Sequence, residues 1–288
     1  SDNQLIVKLF MGQILILGAK GMLGGALKRV LPDAVAWDRE DCDVADEAVL
    51  RQRVTALAPE AIINCVAYND VDGAESKKEA AFLLNAQVPE RLAALSRQLG
   101  ATLVHFSSNY VFDGRLGEYD EAAQPMPLSV YAQSKYQGEQ AIQRQGGNYY
   151  LVRTAVLFGP KGASELSKRS FVDLMLDLAA SQPAIKAVSD EVNSLTYAVD
   201  LAAQVRLLLA QRPAAGIYHV TNAGAASWFE FAREIFRIRG FKTEVLPVPA
   251  ASFPRAARRP AKAVLRNTKL PALRSWQEAL KEFLTTNL

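Results

Sequence analysis

Two cysteines and two histidines are the whole supply of soft or imidazole ligands in 288 residues. Cys42, Cys65, His105 and His219 stand far apart and none is paired at ligand spacing, so neither a structural metal nor a disulfide framework is expected. Cys65, inside the apolar run Ala61-Ile62-Ile63-Asn64-Cys65-Val66, reads as a small buried hydrophobe. So low a thiol count suits a reducing compartment. Long hydrophobic runs are missing as well: nothing approaches the roughly 18–20 residues of a membrane span, and Leu5-Ile6-Val7 before Lys8 is too short for a signal-peptide core. The expected location is the cytoplasm, with no membrane partner. Charge of one sign is not in excess, since 33 Lys and Arg against 30 Asp and Glu leave +3. The densest basic cluster, Arg255, Arg258, Arg259 and Lys262, is too sparse for a nucleic-acid footprint, although a small anionic ligand fits the mild surplus. Internal repeats and low-complexity tracts are lacking, and 50% hydrophobic with 22% charged residues excludes disorder and collagen-like repeats.

What is present alternates. The length accommodates two domains or one large one. Ser1 to Phe10 precede Met11 and read as an extension outside the fold. Short apolar runs predict strands at Gln13 to Leu17, Asp33 to Asp38, Ala61 to Val66, Thr102 to Ser107 and Tyr149 to Thr154. Helical spacing predicts helices from Ala26 to Leu31, Val49 to Leu57, Ala80 to Leu99 and Val130 to Arg144. Continuous runs such as Ala61-Ile62-Ile63 indicate strands covered on both faces, as in a parallel sheet. Later segments are less regular: strands near Ala184 to Val188 and Gly216 to Val220, helices Val199 to Leu209, Ser227 to Arg239 and Ser275 to Leu284, and an extended loop from Pro247 to Pro260. The expected fold is α/β, a Rossmann-type doubly wound parallel sheet with a smaller C-terminal substrate-binding lobe. Residues 11–160 would form the dinucleotide-binding domain and residues 161–288 mainly the lobe, with segments returning to the core.

Gly18-Ala19-Lys20-Gly21-Met22-Leu23-Gly24 follows the first strand and opens a helix, so backbone N–H groups and the helix dipole can face a pyrophosphate without Cβ obstruction. Asp38, twenty positions after Gly18, is placed to accept hydrogen bonds from ribose hydroxyls, whereas Arg39 beside it, with Lys20, suits a 2′-phosphate. NADPH and NADH are therefore both expected as cofactors. Tyr131 and Lys135 are four residues apart, on one face of a helix, where an ammonium would lower the phenol pKa and make Tyr131 a proton donor or acceptor. Ser107-Ser108-Asn109 closes the fourth strand, where an α/β sheet presents side chains to ligand. Arg258 and Arg259 could reach a diphosphate from the cap side or be solvated loop charges.

These motifs resemble the extended short-chain dehydrogenase/reductases. His105-Phe106-Ser107-Ser108-Asn109-Tyr110-Val111-Phe112-Asp113-Gly114, with Gly21-Met22-Leu23-Gly24, Ala67-Tyr68-Asn69-Asp70-Val71-Asp72-Gly73-Ala74-Glu75, Val152-Arg153-Thr154 and Arg259-Pro260, is similar to the dTDP-4-dehydrorhamnose reductase subfamily over nearly the whole chain. The resemblance implies Ser108, Tyr131 and Lys135 as the catalytic group. It implies cofactor contacts at Gly18, Lys20, Gly21, Met22, Leu23, Gly24, Asp38, Arg39, Asp43, Val44, Ala67, Tyr68 and Lys135. Substrate contacts would be Ser108, Asn109, Tyr110, Tyr131, Val156, Asn193, Arg258 and Arg259. The partner implied is a nucleotide-linked 4-keto-6-deoxysugar, with a homodimer left open. Asn109 stands where the subfamily usually has Asp, Val156 where Trp is frequent, Leu195 where Pro precedes a threonine, and Ala263 where Ser is common. A nucleotide-sugar epimerase and a non-catalytic cofactor-binding subunit resembling the beta subunit of methionine adenosyltransferase remain the alternatives.

Overall fold

The computed structural model describes residues 12–164 and 169–286. The extension before Met11 lies outside the described residues. Six strands form one parallel sheet: β1 (Ile14–Leu17), β2 (Val35–Trp37), β3 (Ala61–Asn64), β4 (Thr102–Ser108), β5 (Tyr149–Thr154) and β6 (Gly216–His219). Their spatial order is β6-β5-β4-β3-β1-β2, so the direction of winding reverses between β1 and β3. A crevice outside the carboxyl ends of strands at such a reversal is where open α/β sheets bind ligands.

Both faces of the sheet are covered, which is why β1 and β3 are apolar without alternation. Helices α1 (Met22–Val30) and α5 (Ala198–Gln211) bury Leu23, Leu27, Leu201 and Val205 on one face, against Ile16, Ile63 and Val104. On the other face α2 (Glu47–Leu57), α3 (Val88–Leu99) and α4 (Val130–Gln145) bring Leu50, Leu92 and Ile142 onto Leu15, Ile62 and Leu151. The β6 strand and α5 come from the later half of the sequence, yet complete the sheet edge and its cover.

A smaller four-stranded mixed sheet runs in the order Ala225–Ser227, Val192–Ser194, Lys262–Leu265 and Gly117–Tyr119. Around it Phe158, Tyr197, Phe231, Trp276 and Phe283 pack into an aromatic core. The expected loop from Pro247 to Pro260 begins instead inside a strand, Glu244–Val248, paired in parallel with Ala184–Val188. Pro247 is tolerated there because each of these two strands has one neighbour only among the described residues. The expected helix from Ala80 to Leu99 is likewise broken. A helical turn at Lys78–Phe82 leads into a π-helical turn, Leu83–Gln87, before α3 begins with Pro89 in its first turn.

Candidate active site

The glycine turn joins β1 to α1. Gly18 has φ +76°, and a Cβ on Gly24 would lie 2.2 Å from the Gly18 carbonyl oxygen, so neither position accepts a side chain. The helix N-cap is Gly21, which has no side chain to satisfy the first-turn N–H groups of α1. Those donors and the positive helix end fit a pyrophosphate. Gly162 also meets this turn, since a Cβ there would fall 2.4 Å from the Lys20 carbonyl oxygen, and the Ser164 N–H donates to that oxygen at 3.0 Å.

Asp38, just beyond β2, folds its carboxylate onto the turn and accepts the Lys20 N–H at 2.8 Å and the Arg39 N–H at 2.9 Å. The Lys20 ammonium pairs with Glu40 at 2.9 Å, while Arg39 lies 3.6 Å from Asp43, both pairs in solvent. Met22 and Leu23 open α1, and Val44 is buried below Asp43. Ala67 and Tyr68 follow β3 and are half-buried; Asn85 accepts the Tyr68 N–H at 2.9 Å and donates to its carbonyl at 3.0 Å. The π-helical turn presents Asn85, which also donates to Ser134 of α4 at 3.0 Å. A Cβ on Gly138 would stand 2.1 Å from the Asn85 carbonyl oxygen, so only glycine lets α4 come this close. Neither Asn85 nor Gly138 was expected from the spacing analysis. A glycine in the middle of a helical pattern was the available signal.

Ser108 ends β4 and caps a short 3₁₀ turn, accepting the Tyr110 N–H at 3.2 Å and donating its hydroxyl to Asn109 Oδ1 at 3.4 Å. Tyr131 and Lys135 share α4, both buried. The expectation of a lowered phenol pKa is not met. Burial pushes the Tyr131 phenol up to about 12, the nearby Ser108 hydroxyl only partly opposing it. Burial likewise draws the Lys135 ammonium down to about 8. Lys135 donates to the Phe106 carbonyl at 3.1 Å. Lys135 reaches the end of β4, which pairs in register with β3 up to Asn64↔His105, and Gly18 packs against Cys65 and Val66 at the end of β3. The glycine turn and the Tyr–Lys pair thus stand at the carboxyl ends of β1 and β4, the two strands that flank β3.

The remaining residues close the far side. Asn109 is buried and donates to Asn193 at 2.8 Å and to the Ala263 carbonyl at 2.9 Å, tying the end of β4 to the smaller sheet. Tyr110 meets Tyr131 edge-on, ring centroids 6.3 Å apart. Arg259 donates to both carboxylate oxygens of Asp72 at 3.0 and 2.7 Å and reaches the Ala257 carbonyl at 3.0 Å. Arg258 is exposed. Val156, just after β5, holds φ +38°, a left-handed conformation rare for a β-branched residue, and its carbonyl accepts the Thr196 N–H at 3.1 Å. Strain of this kind concentrates where a neighbouring structure imposes it, often at ligand sites.

The model of the RmlD substrate binding domain family matches residues 12–288. Among curated proteins, a probable dTDP-4,6-dihydroxy-2-methyloxan-3-one 4-ketoreductase of Streptomyces antibioticus is 38% identical, the alignment covering 93% of each chain. A dTDP-4-dehydrorhamnose reductase of Burkholderia thailandensis is 34% identical over 90% of this chain and 91% of that one. Among solved structures, the dTDP-4-dehydrorhamnose reductase of Bacillus anthracis in complex with NADP superposes with a TM-score of 0.90 at 34% identity, over 96% of this chain and all of that one.

Proposed function

The chain belongs to the RmlD substrate binding domain family, and from that membership we propose that it reduces the 4-keto group of a dTDP-linked 4-keto-6-deoxysugar, dTDP-4-dehydrorhamnose to dTDP-rhamnose in the sharpest form, using NADPH or NADH. The observation that carries this reading is that Ser108 ends β4, Lys135 bonds the carbonyl of Phe106 in the same strand from the helix it shares with Tyr131, and the glycine turn that no Cβ could share follows β1, two strands away. When bound, the nicotinamide supplies hydride to the carbonyl carbon. Tyr131 supplies the proton. A phenol whose pKa lies near 12 is protonated at neutral pH, the state a reductase needs, and it yields its proton to the more basic alkoxide that forms as the carbonyl is reduced. Ser108 hydrogen-bonds the same developing oxyanion. Lys135 would hold the ribose hydroxyls and offset charge on the phenolate left behind.

In this reading residues 11–160 bind mainly the dinucleotide and residues 161–288 mainly the sugar nucleotide, and the setting is cytoplasmic. Arg259 has given three N–H bonds to Asp72 and Ala257, so it addresses the diphosphate with what remains of its five donors, and Arg258 adds an exposed cation. The test is to incubate the protein with NADPH and a panel of nucleotide-linked 4-keto sugars while following the absorbance of the reduced nicotinamide. Consumption with dTDP-4-keto-6-deoxysugars is expected. No consumption with any member would overturn the reading.

A further inference from the structure

The helix that carries the Tyr–Lys pair holds a buried charge that the reduction step does not use. Tyr131, Lys135 and Glu139 recur every fourth residue of α4 and so lie on one face. Glu139 is 0% exposed and its partner Arg153, in β5, is 1% exposed. Arg153 grips it with two parallel bonds, Nε to Oε1 at 2.9 Å and Nη2 to Oε2 at 2.6 Å. The guanidinium also stacks over Phe112 at 5.1 Å and approaches Nε2 of His219 at 3.5 Å. Replacing a buried ion pair by well-packed apolar residues is often neutral or stabilising, so stability is a poor reason for this one.

Lys135 offers a better reason. It is 3% exposed, and its ammonium has the Phe106 carbonyl as its hydrogen-bond acceptor, with no ion pair of its own among the described residues. Cys65 from the end of β3, His105 from β4 and Glu139 from α4 are the titratable groups coupled to it, and Tyr131 lies one turn away. Burial raises the Cys65 thiol, raises the Tyr131 phenol and lowers the His105 imidazole well below its usual range, so all three are neutral near pH 7. Glu139 is left as the counter-charge, and its field opposes the desolvation of the ammonium.

We propose that Glu139, clamped by Arg153, is the positioning residue of Lys135: it keeps the buried lysine an ammonium and fixes the register of the helix that presents it. The proposal rests on the reading that Lys135 takes part in the reaction, but its test does not. Glu139→Gln retains the shape, removes the negative charge and leaves the Arg153 cation uncompensated. The titration of Lys135 is followed in the free protein by the NMR signal of lysine labelled with ¹³C at Cε, assigned by its loss in Lys135→Met. The midpoint should fall by about one pH unit or more in Glu139→Gln, a tenfold or greater fall in the ratio of ammonium to amine near pH 8. The dissociation constant of NADPH, read by nicotinamide fluorescence between pH 6 and 9, should weaken over the same interval and change little at pH 6. Should the single variant fail to fold, Glu139→Met combined with Arg153→Met removes both charges, and the Lys135 midpoint should then still lie below that of the wild type. An unmoved midpoint in a folded variant would overturn the proposal, leaving the pair a packing element. If the wild type consumes no NADPH with any 4-keto sugar, the proposed reaction fails while the titration still decides the Glu139–Lys135 coupling.

Discussion

At the scale of single residues, burial depth decides the chemistry more than sequence spacing does. Tyr131 and Lys135 are legible as a pair because their separation fixes their face of a helix, yet the direction of the phenol shift was not, since it depends on how completely α4 covers them. Tyr131→Phe should lower kcat by three orders of magnitude or so while the dissociation constant of NADPH stays within about twofold, because the phenolic proton matters only as charge develops on the substrate oxygen. Steady-state kinetics with fluorescence titration checks this. Lys135→Met should cut turnover and cofactor affinity yet raise thermal stability at neutral pH. The folded pKa of Lys135, about 8, lies below its ordinary value of 10.5, so the cost of burying the ammonium is fully present below pH 8 and vanishes above about pH 10.5. Melting curves should therefore show a gain of roughly 3–8 °C at pH 7, shrinking toward zero by pH 10.5. Asn109 and Ala263, two departures from the subfamily pattern, are neighbours in space: the Asn109 amide donates to the Ala263 carbonyl. Asn109→Asp would set a carboxylate against two acceptors, Asn193 Oδ1 and that carbonyl, and should cost about 1–3 kcal/mol, with partial recovery in Asn109→Asp/Ala263→Ser, measured by urea unfolding.

At the scale of elements, the long apolar runs read clearly and the short segments did not. Four strands of the main sheet, β1, β3, β4 and β5, are sustained by runs of buried, mostly apolar residues, which the pattern registers. Leu157–Phe158 and Thr196–Tyr197, two residues each, are shorter than any period, and their pairing is a product of tertiary packing. The π-helical turn has no sequence signature of its own, because it is imposed by the closeness of α4 that Gly138 permits. Gly138→Ala tests that dependence. The added methyl would collide with the Asn85 carbonyl, forcing α4 or the turn to move. We expect a loss of about 1–3 kcal/mol and a fall in NADPH affinity, although no polar group has been altered; differential scanning calorimetry and fluorescence titration would measure both.

At the scale of the whole molecule, the two sheets are clasped by polar bonds as well as by packing. The Asp72–Arg259 pair joins the turn after β3 to the segment before Lys262–Leu265, and the guanidinium holds the Asp72 carboxyl down to about 2. A depressed carboxyl contributes stability that is complete above its ordinary value near 4 and lost as pH falls toward 2. Asp72→Asn should accordingly lower the urea midpoint at pH 6 and have little effect at pH 2. The β6 strand has a different kind of consequence. It pairs with β5, but about sixty residues of chain separate Thr154 from Gly216. On a ribosome adding roughly 5–20 residues per second, the nascent β5 edge waits several seconds for its partner, with Tyr150 and Val152 uncovered in the meantime. An unpaired apolar strand edge is a template for aggregation. Synthesis stopped at Gln211 should leave that edge permanently open and yield inclusion bodies, and soluble yield of the full chain should rise when a holdase chaperone is co-expressed.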